Sequence, residues 1–315
     1  MSDKQIYLAP MVGRTDEHYR SFIRILSKNI YLYTEMIVCD AFLHTDRKTY
    51  VVNETEKPLT IQLAGSDPEK FASCAKIIEK NGYSEINLNI GCPSSKVIKG
   101  NFGACLMKSP EVIANCIDKI KSVTNLAVSI KTRLGLGYDE NLDLLRDLIE
   151  KSSNAGCTKF FVHARNAILD GISPKGNRKI PSLRYSDAFQ IKNEFQNCQF
   201  FLNGGIEKIE DVTEQLKIFD GIMIGRKIYD DPNFLLMIEK DIYKNNNIPS
   251  RQEILENYLE YISNHKQQKN LSNYLLLRHL FSLYYNTSLS KKWKKFLHDI
   301  IQSNKDINYL VTFKC

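Results

Sequence analysis

The chain has 315 residues, 43% hydrophobic and 25% charged, which is enough apolar material for a sizeable core and excludes both a lone small module and a disordered chain. Its formal net charge of +7 is unevenly placed: residues 241–315 carry 11 basic against 6 acidic side chains, and the 240 before them carry 32 against 30. A polyanionic partner is therefore expected at the last quarter, while no apolar run approaches the roughly 18 residues of a membrane span.

Eight short apolar, β-branched or aromatic runs follow one another at residues 7–11, 32–36, 59–63, 85–90, 127–132, 160–165, 201–205 and 221–226. They are near-continuous in hydrophobicity, as parallel strands buried on both faces are. Helical patterns lie between them. Asp67-Pro68-Glu69 offers an N-cap, a proline in the first turn and an acid behind it, and Ser109-Pro110-Glu111 repeats the device. Further helices are expected at 142–151, closing near Gly156, and at 209–217. Eight strands alternating with helices over 240 residues match a (β/α)8 TIM barrel; on pattern alone a doubly wound open sheet stays the rival. After Asp241 the period changes: Ser250–Glu253 reads as a capping box, further helices are expected at 273–285 and 290–302, and the asparagines 245–247 read as a linker. The expected architecture is α/β, a barrel over residues 1–240 followed by a small helical domain over 248–315.

The active site of such a barrel lies at the carboxyl ends of the strands, and those ends are polar here: Pro10 and Met11, Glu35, Gln62, Asn87 and Asn89, Lys131 and Arg133, His163 and Arg165, Asn203, and Gly225-Arg226. Gly204-Gly205 and Gly225-Arg226 follow the seventh and eighth strands, where glycine lets backbone N–H groups approach a phosphate; tight turns are the plainer alternative. Cys92 follows a strand end between Gly91 and Pro93, where a turn presents its thiol. Cys74 and Cys116 fall on apolar helix faces, and Cys157 and Cys198 precede strands, so they read as small hydrophobes. With Cys39, Cys105 and Cys315 these cysteines make no CxxC pair and no zinc-like cluster, so reduced thiols, a cytoplasmic location and no metal are expected. Met1–Gln5 has no basic stretch leading into an apolar run, so no secretory signal is expected. A thiol of ordinary pKa, about 8.5, is mostly protonated and can donate a proton; a nucleophilic role needs a lowered pKa.

The segments Leu8–Met11, Tyr33–Met36, Gln62–Ser66, Asn87–Ser94, Gly103–Met107, Lys131–Arg133, Val162–Arg165 and Asn203–Gly205 strongly resemble the tRNA-dihydrouridine synthases, in order through the barrel. Residues 171–184, with Ser173–Arg178 and Ile180–Arg184, resemble the A-type branch, which acts on D-loop uridines 20 and 20a. The tail matches less closely, with Leu277-Arg278-His279 as its best anchor. The resemblance implies a barrel that binds FMN, NADPH as electron donor and a helical domain that helps hold tRNA, in a monomer that needs no membrane. It implies FMN contacts at Pro10, Met11, Val12, Gln62, Lys131, His163, Asn203, Gly204, Gly205, Gly225 and Arg226, a proton donor in Cys92, and tRNA contacts at Asn89, Lys175, Arg178 and Arg278.

The implied chemistry is coherent. The uracil C5–C6 bond is conjugated to the C4 carbonyl, so hydride from flavin N5 adds at C6 and a proton must reach C5. Lys131 then offsets charge at the N1/O2 edge of the reduced flavin, and the target base must be flipped out of its stack. Two other readings stand beside this one: a flavin barrel acting on a small molecule, such as a dihydroorotate dehydrogenase, which leaves the basic tail unexplained, and a catalytically silent RNA-binding barrel. Lys291-Lys292-Trp293-Lys294-Lys295 reads equally as solvated charge around one buried indole or as a phosphate contact.

Overall fold

Both faces of the apolar runs are covered, which is why they become strands rather than helices. A computed structural model describes residues 4–46, 50–269, 271–303 and 305–313; Cys315 lies outside them. The strands are β1 (Gln5–Leu8), β2 (Leu32–Val38), β3 (Leu59–Ala64), β4 (Glu85–Ile90), β5 (Ala127–Arg133), β6 (Lys159–His163), β7 (Gln199–Asn203) and β8 (Gly221–Ile224). All pairings are parallel, in the order β1-β8-β7-β6-β5-β4-β3-β2. Tyr31 closes the ring by pairing with Tyr7: its N–H donates to the Ile6 carbonyl (2.9 Å) and its carbonyl accepts from Leu8 (2.8 Å). The fold is the expected (β/α)8 barrel, not the open sheet.

Four strands stop sooner than their apolar runs. β1 ends at Leu8 and β8 at Ile224, while β6 and β7 end at His163 and Asn203. Pro10 has no N–H for a ladder, Gly204 and Gly205 turn into positive φ (+102° and +75°), and Arg165 N–H folds back onto the His163 carbonyl at 2.6 Å. Glu35 is not a strand end: β2 runs three residues past it, with a register shift between Tyr33 and Met36.

The helices between strands are α1 (Glu17–Leu26), α2 (Cys39–His44), α3 (Pro68–Lys80), α4 (Ser95–Lys99), α5 (Pro110–Lys121), α6 (Asp143–Asn154), α7 (Tyr185–Glu194) and α8 (Ile209–Ile218). Asp67 caps α3 as expected, accepting from Glu69 and Lys70 N–H. Ser109 occupies the equivalent place before α5 but its hydroxyl makes no cap bond. α6 begins one residue later and runs three residues further than its pattern, ending before Gly156, whose φ of +87° stops it.

The described residues gather into two compact units: the residues up to Met11 with Tyr31–Ile224, and Val12–Ile30 with the residues from Gly225 on. In the first, Tyr7, Tyr33, Phe161, Phe201 and Met223 fill part of the barrel interior, with Phe161 stacked on Phe201 at 4.7 Å and Tyr7 edge-on to Phe161 at 4.8 Å.

The second unit contains α1 and α9 (Arg226–Asp230), α10 (Asn233–Asp241), α11 (Arg251–Lys269), α12 (Asn273–Leu277) and α13 (Ser290–Gln302). The capping box forms, with Ser250 N–H on Glu253 (2.8 Å) and Glu253 N–H on Ser250 Oγ (3.2 Å). The single helix expected at 273–285 is instead α12 followed by a 3-10 turn at Arg278–Ser282. Tertiary donors capture its carbonyls: the Tyr258 hydroxyl donates to Leu276 O (2.6 Å) and the Trp293 indole to Leu280 O (2.7 Å). No helix among the described residues is long and apolar enough to cross a membrane.

Asp16 ties α1 to the 3-10 turn within this unit. It caps α1 through Tyr19 N–H (2.8 Å), accepts from the Arg278 guanidinium, and lies 2.9 Å from His279 Nε2. Burial pushes its carboxyl pKa up, but the bonds from His279, Tyr19 and Arg278 outweigh burial and hold it well below the usual carboxylate range. A depressed folded pKa contributes stability that is complete above the unfolded value of about 3.9 and is lost as pH falls below it. Asp16→Asn keeps a capping side chain and removes the charge, so it should cost about 1–3 kcal/mol at pH 7. In urea melts the gap to the parent should narrow as pH falls below about 4; a gap independent of pH would contradict this account.

Candidate active site

Strand periodicity brings the polar strand ends together. Side chains two apart share a face, so Ser129, Lys131 and Arg133 of β5 point the same way, and β5 pairs with β4 so that Asn89 lies beside Lys131. β6 and β7 continue the row, with Arg133 beside His163 and His163 beside Asn203. Lys131 Nζ donates to Asn203 Oδ1 at 2.9 Å, and Asn203 Nδ2 donates to the Met223 carbonyl at 2.7 Å. On the other flank Asn89 Nδ2 donates to Gln62 Oε1 at 2.8 Å, while Asn89 Oδ1 accepts from the N–H groups of Gly91 (3.2 Å) and Cys92 (3.0 Å). Gln62, Asn89, Cys92, Lys131, His163 and Asn203 thus form one cluster at the carboxyl ends of β3 to β7.

Cys92 is half-buried and unbridged, with Sγ 3.5 Å from Ser94 Oγ. Cys74, Cys116, Cys157 and Cys198 are buried, as small hydrophobes should be. Cys105 is half-buried and its thiol is pushed up by burial.

Gly204 serves this cluster in two ways. Its φ of +102° favours glycine, and a Cβ there would stand 3.0 Å from His163 Nε2. At Gly205, with φ +75°, a Cβ would meet Leu183 and the Tyr185 hydroxyl more closely still, and that hydroxyl donates to the Gly204 carbonyl at 2.8 Å. The bare backbone after β7 is a cradle that any side chain would fill. Pro10 and Met11 follow β1, each half-buried. Val12, Gly225, Arg226 and Arg278 belong to the second unit. Val12 is exposed, Gly225 precedes the first turn of α9, and Arg278 has its guanidinium on Asp16.

Arg133 was legible as a polar strand end, but its task was not. Its Nε donates to Gly91 O (3.1 Å), and its Nη1 to Asn166 O (3.0 Å) and Asn177 O (2.9 Å). One buried guanidinium therefore fastens the turn that carries Cys92, the loop after β6 and the Lys175–Arg178 segment. Within that segment Asn177 is buried and bonds both backbone groups of Ile168 (2.7 and 2.8 Å), which leaves Lys175 exposed and Arg178 half-buried.

Lys131 and Arg133 are both enclosed at this end of the barrel. Burial, reinforced by Arg133, brings the Lys131 amine down to about 7, with Cys92 acting in the opposite sense. Burial lowers Arg133 to about 10, which leaves it charged at neutral pH. The cluster can bind an electron-rich ring, compensate negative charge that develops on it, and supply a proton from a thiol.

The chain matches known proteins over nearly its whole length. The family profile described as dihydrouridine synthase matches residues 7–314. A tRNA-dihydrouridine(20/20a) synthase of Synechocystis is 42% identical over 93% of this chain and 88% of its own length. Proteins of the same name from Shewanella oneidensis (38%, over 96% of this chain and 90% of theirs) and Escherichia coli K12 (37%, over 96% and 88%) are similar throughout.

Gly204→Ala should destabilise the protein by about 1–3 kcal/mol in urea unfolding, because φ and the His163 ring both oppose a Cβ; a loss under about 0.5 kcal/mol would be inconsistent with this packing. Reaction of Lys131 with a small amine reagent in the cofactor-free protein, followed by peptide mass spectrometry, should rise with pH around about 7. Exposed lysines should follow a curve near 10.4, and Lys131 titrating with them would refute the effect of burial.

Proposed function

The chain belongs to the dihydrouridine synthase family, and on that premise we propose that it reduces the C5–C6 bond of D-loop uridines 20 and 20a in tRNA, with FMN as cofactor and NADPH as electron donor. The observation that carries the reading is the cluster itself: a thiol and a buried amine on neighbouring strand ends, in a chain whose relatives bear that enzyme name over nearly their whole length.

The cradle at Gly204-Gly205 and the donor set of Gln62, Lys131, His163 and Asn203 suit a flavin. Pro10, Met11, Val12, Gly225 and Arg226 complete the proposed set, the last two for its phosphate at the start of α9. Bound FMN supplies the hydride that adds at uracil C6. Cys92 delivers the proton to C5, which needs a thiol rather than a thiolate. Asn89, whose Oδ1 already holds the Cys92 turn, keeps a second amide hydrogen for the uracil edge. Lys131 supplies positive charge opposite the electron-rich cofactor, and an anionic neighbour would raise its pKa again from about 7.

In this proposal tRNA is held by Lys175, Arg178 and Arg278 and by the helical region 248–315. All four lysines beside Trp293 are exposed while the indole is buried, so α13 offers a cationic surface without losing its packing. Arg278 contributes through the guanidinium N–H groups that Asp16 and His279 do not take. The protein acts as a cytoplasmic monomer and needs no metal.

Mass-spectrometric mapping of dihydrouridine in tRNA from cells with and without this chain should show loss at positions 20 and 20a; loss elsewhere, or none, would overturn the proposal. Cys92→Ala should lower dihydrouridine formation by about 10² or more while NADPH oxidation without RNA continues. Equal loss in Cys105→Ala would mean that the proton comes from another group.

A further inference from the structure

Beneath the cluster the barrel interior holds a file of polar side chains, of which the proposed reaction uses only Gln62 and Asn89 at its upper end. Lys159 Nζ donates to Glu85 Oε2 at 2.6 Å. Glu85 Oε1 accepts from the Ser129 hydroxyl at 2.5 Å and from the Tyr33 hydroxyl at 3.3 Å. Ser129 Oγ accepts from Asn87 Nδ2 (2.8 Å), Asn87 Oδ1 accepts from Gln62 Nε2 (2.7 Å), and Gln62 Oε1 accepts from Asn89 Nδ2 (2.8 Å). The file ends where Asn89 Oδ1 accepts from Gly91 and Cys92 N–H. Ser129, Asn87 and Gln62 are essentially without solvent exposure.

The direction of the file is set from both ends. An ionised carboxylate only accepts and a backbone N–H only donates. Glu85 takes the one proton of Ser129, so Ser129 can only accept from Asn87, and each amide in turn has one permitted orientation. The backbone N–H groups at the far end demand the same order, because they need an oxygen from Asn89.

We infer that Ser129 is a positioning residue for the reaction proposed above: by relaying the orientation set by Glu85 through Asn87 and Gln62, it keeps the Asn89 oxygen on the turn that carries Cys92. Without its hydroxyl, Asn87 loses its acceptor, the order of the three amides is held from the Gly91–Cys92 end alone, and reversal no longer has to break a bond at the Glu85 end. A reversed Asn89 turns its NH2 toward two N–H donors, and the turn opens. The inference rests on that reaction for its consequence in catalysis, but the effect on the turn is a property of the protein alone.

The test compares Ser129→Thr with Ser129→Val, which have nearly equal volume and differ by the hydroxyl, and adds Ser129→Ala, which introduces no extra volume. Iodoacetamide labelling of Cys92 without tRNA should be about fivefold faster in the Val and Ala variants, with Cys105 changing less than about twofold and Thr behaving as the parent. With tRNA, kcat should fall about tenfold in Val and Ala at a KM within about twofold, and recover in Thr. Equal labelling in Thr and Val, or parental labelling in Ala, overturns the inference. A parent protein that labels as expected yet makes no dihydrouridine overturns the proposed function and leaves the relay standing.

Discussion

A carboxylate inside a barrel must find partners, and the interior of this one is arranged around that requirement. Glu85 is taken by Lys159, Ser129 and Tyr33. An unpaired charge at this depth would be far more costly than any one of these contacts is stabilising. Lys159 in turn lies 4.9 Å from the Tyr7 ring centroid and 5.3 Å from that of Phe201, so the ammonium that neutralises Glu85 also faces the aromatic part of the core. The polar strands β3 to β5 and the aromatic filling from β1, β2, β6 and β7 meet at this one ion pair.

The carboxyl end of the barrel works by a different economy. Here Lys131 and Arg133 are enclosed with no carboxylate bonded to them among the described residues, and carbonyl and amide oxygens accept their hydrogen bonds instead. Oxygen dipoles satisfy the donors without cancelling the charge, so this end stays attractive to an electron-rich ligand. The same Arg133 that adds to the charge also fixes the loops, which couples the shape of the site to its electrostatics.

In the second unit the division is between surface and interior. Trp293 packs with Tyr284 at 5.0 Å and Phe313 at 4.9 Å, while the lysines on either side of it in sequence remain in solvent. A helix with so many like charges is tolerable because its opposite face is anchored by large rings. Asp16 and Arg278 join α1 to the 3-10 turn in the same unit although they are far apart in sequence.

Much of this was legible in the sequence because it is local. Strand positions follow from unbroken apolar runs, helix starts from Asp67 and Ser250, and the family from motifs that keep their order through the barrel, so Gln62, Asn89, Cys92, Lys131, His163 and Asn203 could be named in advance. What the tertiary structure alone decided is non-local. The three-loop role of Arg133, the breaking of the helix after Leu277 by donors from Tyr258 and Trp293, the commitment of Arg278 to Asp16, and the file from Glu85 to Cys92 all depend on hydrogen bonds between distant segments. A sequence displays the donors and acceptors, but which of them meet is set by strand register, and register exists only once the ring has closed.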